Sequence, residues 1–331
     1  MKSATKPATS HSSAPSEFRL ARYRFNLEAI EPLRLPPFKG SALRGGFGHT
    51  FKRIVCQQGC QQVCQSGNAC PYGYIFETSP PDGTKVLRRI QNVPVPFVIE
   101  PPLTKKSDYQ PGERLNFDLI LVGEAIDYFP YFLVTFRELG FTGLGQTRGK
   151  YALSQVINLH PLNQDRLTVY RAAEELVQDK VLTLTWDDVQ AQAATLPADR
   201  LALTFLTPTR LKQQQKWVHK GPPFQALIRI LLGRISSLSN FHCRQQLALD
   251  FRGLIDRAAD VDIIEADTRW IDWSRFSGRQ KQRINLGGLA GSVTYKGKLA
   301  DYLPFLVLGS FIHVGKGTVF GNGHYQIRDV S

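Results

Sequence analysis

The sequence predicts an α+β protein in which one βαββαβ domain occurs twice in tandem. Between residues 17 and 160 the segments follow the order strand, helix, strand, strand, helix, strand. This is the split βαβ order of a ferredoxin-like (RRM-like) domain. The same order restarts near residue 200, and 331 residues are enough for two domains that each bury a core.

Internal similarity supports the duplication. Four short segments of the first half have a counterpart 172 to 176 positions later, in the same order. The pairs are 32–35 with 208–211, 127–133 with 301–307, 143–145 with 315–317, and 151–153 with 325–327. Four matches in one order at nearly one spacing indicate a tandem repeat of a single domain.

Hydrophobic periodicity predicts the elements of each repeat. In the first repeat, residues 39–55 place Leu43, Phe47, Phe51 and Ile54 at helical spacing. The other first-repeat elements are strands at 18–30, 93–100, 115–122 and 151–159, a helix at 125–139, and a glycine loop at 143–149. The second repeat contains strands at 201–206, 263–273, 281–295 and 325–327, with helices at 224–238 and 302–312.

Composition predicts where the domains begin and end. Residues 1–16 are rich in Ser, Thr and Pro and lack an apolar centre, so we expect a disordered tail and not an export signal. Residues 17–160 form the first domain with a cysteine-rich insertion at 56–70, and residues 200–331 form the second. Residues 161–199 are more polar, and we expect a helical connector there.

The charge balance favours an acidic partner. A formal net charge of +13 makes nucleic acid the commonest candidate. We find no apolar run of 18 or more residues, which argues against a membrane-bound protein. Without an export signal, the five cysteines are expected in a reducing compartment, the cytoplasm.

The most distinctive stretch is a helix, a glycine-rich segment and a strand at the C-terminal end. A dinucleotide-binding fingerprint has the reverse order, strand then helix. Lys316 is followed by Gly317 and not by Ser or Thr, which excludes the phosphate-loop pattern. Glycines still let a backbone approach a phosphate closely. The alternative is that these glycines only allow the chain to form a turn.

The chain resembles the Cas6 family of CRISPR precursor-RNA endoribonucleases, within the repeat-associated RNA-binding superfamily. The segment 313–325, H-V-G-K-G-T-V-F-G-N-G-H-Y, is similar to the terminal signature of that family. Residues 205–211 look like the opening of its second domain, and residues 39–48 are similar to part of its first.

The resemblance implies a metal-independent cut in CRISPR repeat RNA, with no cofactor for catalysis. A 2′-hydroxyl attacks the adjacent phosphate and leaves a 2′,3′-cyclic phosphate and a 5′-hydroxyl. A non-catalytic RNA-binding subunit of a CRISPR effector complex is the alternative. Effector-complex or adaptation proteins of CRISPR systems stay open as further partners, and so does a homodimer.

One histidine is the favoured catalytic residue. His49 lies off the apolar stripe of the first helix, and Lys52 and Arg53 follow three and four residues later on the same exposed face. Histidine suits proton transfer near neutral pH, and cations stabilise a crowded phosphate. We predict His49 and Lys52 as catalytic residues. His219 and His242 are alternatives, and an exposed His49 without a chemical role stays open.

Basic side chains and the C-terminal glycines are the predicted RNA contacts. In the stretch 269–283, Arg279, Lys281 and Arg283 alternate, so a strand would place all three on one face. We expect Trp270 and Trp273 in the core, with stacking on unpaired bases as the alternative. The full predicted set is Arg44, Arg53, Arg210, Lys212, Arg275, Arg279, Lys281, Arg283, Gly315, Lys316, Gly317, Gly321 and Gly323.

Four cysteines lie within fifteen residues. Cys56, Cys60, Cys64 and Cys70 have the spacing C-x3-C-x3-C-x5-C. Four thiolates can hold a structural zinc ion, although this spacing is looser than paired C-x2-C motifs. A zinc site, four unliganded thiols and an iron–sulfur cluster are the alternative interpretations.

Overall fold

The computed structural model describes residues 10–12, 14–56, 67–80, 93–174, 176–178, 180–277 and 282–328. Within these ranges the chain forms a six-stranded and a four-stranded antiparallel sheet, together with four two-stranded pairings. Among the same residues, no helix combines the length and the apolar character needed to cross a membrane.

The first half of the chain contains nine strands and four helices in the described ranges. They are β1 (Ser10–Ser12), β2 (Leu20–Ala29), β3 (Leu33–Arg34), α1 (Gly40–Val55), α2 (Pro71–Phe76), β4 (Phe97–Glu100), β5 (Asp108–Tyr109), β6 (Arg114–Val122), α3 (Phe129–Thr142), β7 (Tyr151–Leu159), β8 (Arg166–Arg171), β9 (Leu176–Val177) and α4 (Trp186–Ala193). Short 3-10 turns lie at Gly67–Ala69 and Gly123–Tyr128.

The second half adds nine strands and three helices in its described residues. They are β10 (Arg200–Thr209), β11 (Lys212–Gln213), β12 (Lys216–Trp217), α5 (Phe224–His242), β13 (Gln245–Leu247), α6 (Phe251–Arg257), β14 (Asp262–Ile271), β15 (Ser274–Ser277), β16 (Gln282–Asn285), β17 (Gly288–Lys296), α7 (Leu303–Ile312) and β18 (Tyr325–Arg328). Three 3-10 turns lie at Ala258–Asp260, Ala300–Tyr302 and Thr318–Phe320.

The two sheets share one topology. The first has the order β4-β6-β2-β7-β8-β9, and the second has the order β14-β17-β10-β18. The orders match strand for strand when β2, β4, β6 and β7 are aligned with β10, β14, β17 and β18. The predicted fold class, two tandem βαββαβ units, is therefore confirmed.

Period-two and helical patterns place the core of the first domain as expected. Along β2, Tyr23 and Phe25 are buried while Arg22 and Arg24 are partly exposed, because neighbouring side chains point to opposite faces of a sheet. In α1, Leu43, Phe47 and Phe51 are fully buried. Ile54, which the spacing placed on the same stripe, is 38% exposed.

The domains are joined by a continuous apolar core. The opposite face of the first sheet contributes Leu20, Val98 and Ile120 to the cluster that contains the core of the second domain. Close backbone packing adds to this junction, because a Cβ on Gly123 would stand 2.0 Å from the carbonyl oxygen of His242. The two repeats thus form one packed unit.

The predicted helical connector at 161–199 is largely wrong. Residues 166–171 form β8, which pairs with β7 and extends the first sheet, and only Trp186–Ala193 is helical. The strand forms because β7 offers a free edge and because Val169 and Tyr170 favour a pleated, half-buried surface. The predicted strand at 281–295 is likewise divided into β16 and β17.

Candidate nucleic-acid interface

The C-terminal glycines are required by close packing. In the glycine loop, defined as residues 313–324, Gly315, Gly317, Gly321 and Gly323 all have φ between 76° and 91°. A Cβ on Gly315 would lie 2.5 Å from the carbonyl oxygen of Arg210, and one on Gly321 would lie 2.7 Å from that of Ile99. Only glycine accepts both the positive φ and the close approach of another backbone.

The loop presents only part of its length to solvent. Lys316 is exposed, and Gly315 and Gly317 are partly exposed. Gly321 and Gly323 are buried against protein atoms. The prediction that these last two glycines contact RNA is therefore wrong for this conformation, since their backbone is already enclosed by the first domain and by Val314.

Helix α1 begins directly on the glycine loop. A Cβ on Gly40 would stand 1.8 Å from the carbonyl oxygen of Phe320, so the helix and the loop are in backbone contact. The Arg44 guanidinium lies 5.6 Å from the Phe320 ring centroid and 4.7 Å from that of Phe76. Arg44 Nη1 is also 3.9 Å from the Cβ position of Gly48, the residue before His49.

The exposed face of α1 carries the predicted catalytic residues. His49 and Arg53 are exposed, and Lys52 is partly exposed with its Nζ 5.3 Å from the Tyr72 ring centroid. Gly45, one helical turn before His49, has no atom of the described residues within 4 Å of its Cβ position. As far as the described residues show, this face is open to a large ligand, beside the loop that Arg44 touches.

A small basic hairpin, β11–β12, lies on the other side of the loop. Lys212 pairs with Trp217 across the hairpin, and its Nζ is 4.7 Å from the Trp217 ring centroid. Arg210 covers the same ring at 4.3 Å. The Arg210 carbonyl accepts a hydrogen bond from the Lys316 backbone N–H at 3.3 Å, which brings three of the predicted RNA-contacting residues together.

The arginine-rich stretch is only partly described. β15 and β16 form a hairpin that contains Arg275 and Arg283, whose side chains lie outside the described residues. Arg279 and Lys281 also lie outside the described ranges. Arg210 Nη1 donates to the carbonyl of Asn285 at 2.5 Å, so the base of this hairpin adjoins the glycine loop.

Trp270 and Trp273 are not core residues. Both are partly exposed: the Trp270 ring lies 4.2 Å from that of His219, and the Trp273 ring lies 4.8 Å from that of Phe38. The expectation of burial fails because β14 is an edge strand of its sheet and β15 leaves that sheet altogether.

The two histidines predicted as alternatives to His49 lie in different surroundings. His219 is exposed. His242 is buried, with Nε2 2.7 Å from the carbonyl oxygen of Pro94 and Nδ1 3.2 Å from the hydroxyl of Tyr74. Burial lowers the pKa of His242 to about 4, so this ring is neutral at pH 7 and enclosed by protein.

The predicted zinc ligands are not all described. Cys56 follows α1 and Cys70 precedes α2, and both are partly exposed. Cys60 and Cys64 lie outside the described residues. The zinc interpretation stays a prediction.

A buried charged cluster joins the two domains, and sequence reasoning did not find it. His313 Nε2 is 2.9 Å from Glu100 Oε1, and His313 Nδ1 is 3.1 Å from the carbonyl oxygen of Asn322. His313 therefore links a side chain of the first domain to the backbone of the glycine loop. Arg22 bonds the other oxygen of Glu100 at 3.0 Å.

The electrostatics of this cluster follow from its contacts. Burial alone would raise the pKa of Glu100, but the hydrogen bond from His313 and the charge of Arg22 outweigh it and lower that pKa to about 2. Burial lowers the pKa of His324 to about 4, and the neighbouring His313 adds to the shift. Asp118 bonds Arg22 and Arg24.

Glu100, His313 and His324 are close enough to suggest a metal site, but their geometry argues against one. The two imidazole rings are stacked at 4.7 Å with 8° between their planes. A ring nitrogen binds a metal in the plane of its ring, and one ion cannot lie in two parallel planes that far apart. Arg22 also pairs with Glu100, and its positive charge would repel a metal ion at this carboxylate. The cluster is an interdomain ion network.

Comparison with known proteins accounts for both halves of the chain. A family model described as CRISPR-associated endoribonuclease Cas6 matches residues 203–325, and a model described as an N-terminal domain matches residues 18–182. Residues 203–325 therefore match the Cas6 family model. The resemblance inferred from the sequence is thereby confirmed.

Solved Cas6 structures share the fold of this chain. A Cas6 product complex has a TM-score of 0.58 at 15% identity and covers 93% of this chain and 100% of that one. Thermus thermophilus Cas6 has a TM-score of 0.53 at 14% identity, with coverage of 94% and 99%. A partial Cas6-RT-Cas1–Cas2 complex has a TM-score of 0.59 at 14% identity and covers 95% of this chain.

Among curated proteins, an uncharacterized protein from Archaeoglobus fulgidus is 32% identical over 126 residues, or 37% of this chain and 40% of that protein. The chain thus spans less than half of this relative, and it spans 47% of the matched chain in the partial Cas6-RT-Cas1–Cas2 complex.

Proposed function

We propose that this Cas6 family protein is a metal-independent endoribonuclease that cleaves CRISPR repeat RNA. In the proposed reaction a 2′-hydroxyl attacks the adjacent phosphate, the bond to the 5′-oxygen breaks, and a 2′,3′-cyclic phosphate and a 5′-hydroxyl result. The reaction needs a base for the attacking hydroxyl, an acid for the departing oxygen, and cations around the crowded phosphate.

One observation carries the proposal: the open face of α1 adjoins the glycine loop. Arg44 contacts Phe320 of the loop and lies beside Gly48, and His49 follows on the exposed surface. An RNA strand that crosses from Lys316 to His49 would therefore pass the guanidinium of Arg44. The rise from Arg44 to His49 along a helix is about 7.5 Å, roughly the length of one extended nucleotide.

The side chains on this face divide into proposed roles. His49 is the proton-transfer residue, and Lys52 stabilises the charge that develops on the phosphate. Arg53 and Arg44 hold the neighbouring phosphates. Arg210, Lys212 and Lys316 extend the same positive surface across the second domain, and Arg275, Arg279, Lys281 and Arg283 are proposed to continue it.

Cleavage of a repeat-containing RNA in EDTA tests the proposal. Site-specific cutting that leaves a cyclic phosphate supports it, and a single 2′-deoxy substitution at the nucleotide before the cut should stop cleavage without stopping binding. Binding without cleavage would instead identify a non-catalytic subunit of a CRISPR effector complex. Equal affinity for DNA of the same sequence would favour a general single-strand-binding protein.

CRISPR proteins are proposed as further partners. One matched structure is a complex of Cas6, RT, Cas1 and Cas2, and its Cas6-containing chain shares this fold. We therefore propose that adaptation or effector proteins associate with this chain, and we leave a homodimer as a separate hypothesis. Co-purification with Cas1 and Cas2, compared with light scattering of the isolated protein, tests the two hypotheses separately.

A further inference from the structure

Three of the four tryptophans lie outside the core. Trp186 is buried and its ring lies 5.7 Å from that of Phe305. Trp217, Trp270 and Trp273 are each partly exposed. Large indole rings are costly to leave in water, so three such rings in one region of the second domain call for an explanation.

The first ring is surrounded by cations. Arg210 and Lys212 lie 4.3 and 4.7 Å from the Trp217 ring centroid, and exposed Lys216 is adjacent in the same hairpin. The turn of this hairpin is formed by Gln214 and Gln215 with φ of 47° and 66°, the conformation that tight two-residue hairpins need. The hairpin therefore holds Trp217 and its lysines in a defined position.

The other two rings continue the surface. His219, two residues after Trp217, contacts Trp270 at 4.2 Å, and Trp270 Nε1 donates to Asp272 at 2.8 Å, which orients its ring. Trp273 contacts Phe38, the residue two before the start of α1. The aromatic surface thus runs from the basic hairpin to the N-terminus of the proposed catalytic helix.

We infer that Trp217, Trp270 and Trp273 form a stacking platform for unpaired nucleobases of the RNA. Bases in a duplex are already stacked on each other, so aromatic side chains bind the single-stranded parts of an RNA. Arg210, Lys212 and Lys316 would bind the phosphates that link such bases. The inference rests on the proposed function in one respect, that the ligand is RNA. It adds that the part of the RNA bound here is single-stranded.

Acidic residues limit the platform on one side. Glu265 and Asp267 are exposed on β14, and Asp262 begins that strand. They would repel a phosphate backbone, so the RNA path runs from Trp217 past Trp270 and Trp273 toward α1 and not along the far end of β14.

Fluorescence of single-tryptophan proteins tests the platform. Four proteins each keep one tryptophan, with the other three changed to Phe, so that aromatic faces are conserved. Binding of a single-stranded repeat RNA with 2′-O-methyl groups, which lack the attacking hydroxyl, should quench emission from the proteins that keep Trp217, Trp270 or Trp273. The protein that keeps only buried Trp186 is the matched control and should show no quenching.

Affinity provides a second test. Trp217→Leu and Trp273→Leu should each weaken binding of single-stranded RNA by about five- to 100-fold, while Trp217→Phe and Trp273→Phe retain most of it. Affinity for a fully paired RNA should change little. Undiminished binding by the Leu variants, or equal quenching in the Trp186 protein, would overturn the inference.

The outcomes separate this inference from the proposed function. A protein that cuts repeat RNA but whose Leu variants bind normally would refute only the platform. A protein that fails to cut but shows selective quenching and weakened Leu variants would retain the platform and refute the proposed enzyme.

Discussion

His313 Nε2 lies 2.9 Å from Oε1 of Glu100, a contact between residues 213 positions apart in the chain. Glu100 is the last residue of β4 in the first domain, and His313 is the first residue after α7 in the second. His313 has φ of 63°, unusual for a residue with a side chain. The contact thus anchors the first residue of the glycine loop to the other domain.

Removal of the Glu100 charge should destabilise the protein. Glu100→Gln keeps the shape but removes the buried carboxylate that pairs with Arg22 and contacts His313, and we expect a loss of about 3 kcal/mol in the free energy of unfolding. Urea unfolding at pH 7 measures it. Glu113→Gln is the matched control, because Glu113 pairs with Lys106 at the solvent-exposed surface, and it should change the free energy of unfolding by less than about 1 kcal/mol. An unaffected Glu100→Gln protein would show that the ion pair does not stabilise the domain junction.

The same pair has a defined pH dependence. The folded-state pKa of Glu100, about 2, is below its ordinary value of 4.5, so its stabilisation is present above pH 4.5 and is lost as the pH falls toward 2. The difference in unfolding free energy between wild type and Glu100→Gln should therefore shrink over that range. A difference that stays constant from pH 5 to pH 2.5 would contradict the assignment.

Buried His242 and partly exposed His324 should make the fold sensitive to mild acid. The pKa values of His242 and His324 are each lowered from 6.5 to about 4. The unfolded chain then binds more protons between pH 6.5 and 4, so stability is full above pH 6.5 and falls below it, by roughly 3 kcal/mol per histidine at most. His242→Gln and His324→Gln should each flatten this dependence. Parallel pH profiles for wild type and both variants would be inconsistent with the lowered pKa values of the two rings.

A pair of glycine variants tests the contact between α1 and the glycine loop. Gly40→Ala places a Cβ 1.8 Å from the Phe320 carbonyl oxygen and should cost about 2 kcal/mol, because one backbone must move. Gly45→Ala meets no atom of the described residues within 4 Å and should stabilise α1 by about 0.5–1 kcal/mol. Thermal unfolding of the two proteins should thus shift in opposite directions, and equal shifts would refute the contact.

Substitution of His49 tests the proposed chemistry. His49→Ala should slow single-turnover cleavage of repeat RNA by roughly 100-fold, with RNA affinity nearly unchanged, because the proposed role of this residue is to transfer a proton and not to hold a phosphate. His160→Ala is the control, since His160 Nδ1 accepts bonds from the Leu162 and Asn163 backbone in a remote loop. An unchanged cleavage rate in His49→Ala would remove this residue from the mechanism.

Lys316 should contribute a phosphate contact without sequence preference. Lys316→Ala is expected to weaken binding of different single-stranded RNAs alike and to reduce the slope of log affinity against log salt by about 0.7. Lys298→Ala, exposed at another turn of the second domain, is the matched control. A loss confined to one RNA sequence would instead indicate that Lys316 reads a base.

The periodicity of apolar residues was sufficient to predict the architecture. The period of two in β2 and the spacing of Leu43, Phe47 and Phe51 in α1 reflect which face of each element is buried, and both survive in the structure. The exposed position of His49 follows from the same helical spacing. β8 was missed because its conformation depends on an edge of β7, a partner that periodicity within residues 161–199 does not reveal.

By itself the sequence determined the duplicated domain, the positions of most helices and strands, the positive charge and the resemblance to the Cas6 family. The tertiary structure alone decided that Gly321 and Gly323 serve packing, that Trp270 and Trp273 are partly exposed, and that His313 bonds Glu100. The physical reason is distance along the chain. Helix and strand periods arise between near neighbours, whereas these contacts join segments that only the docking of two domains brings together.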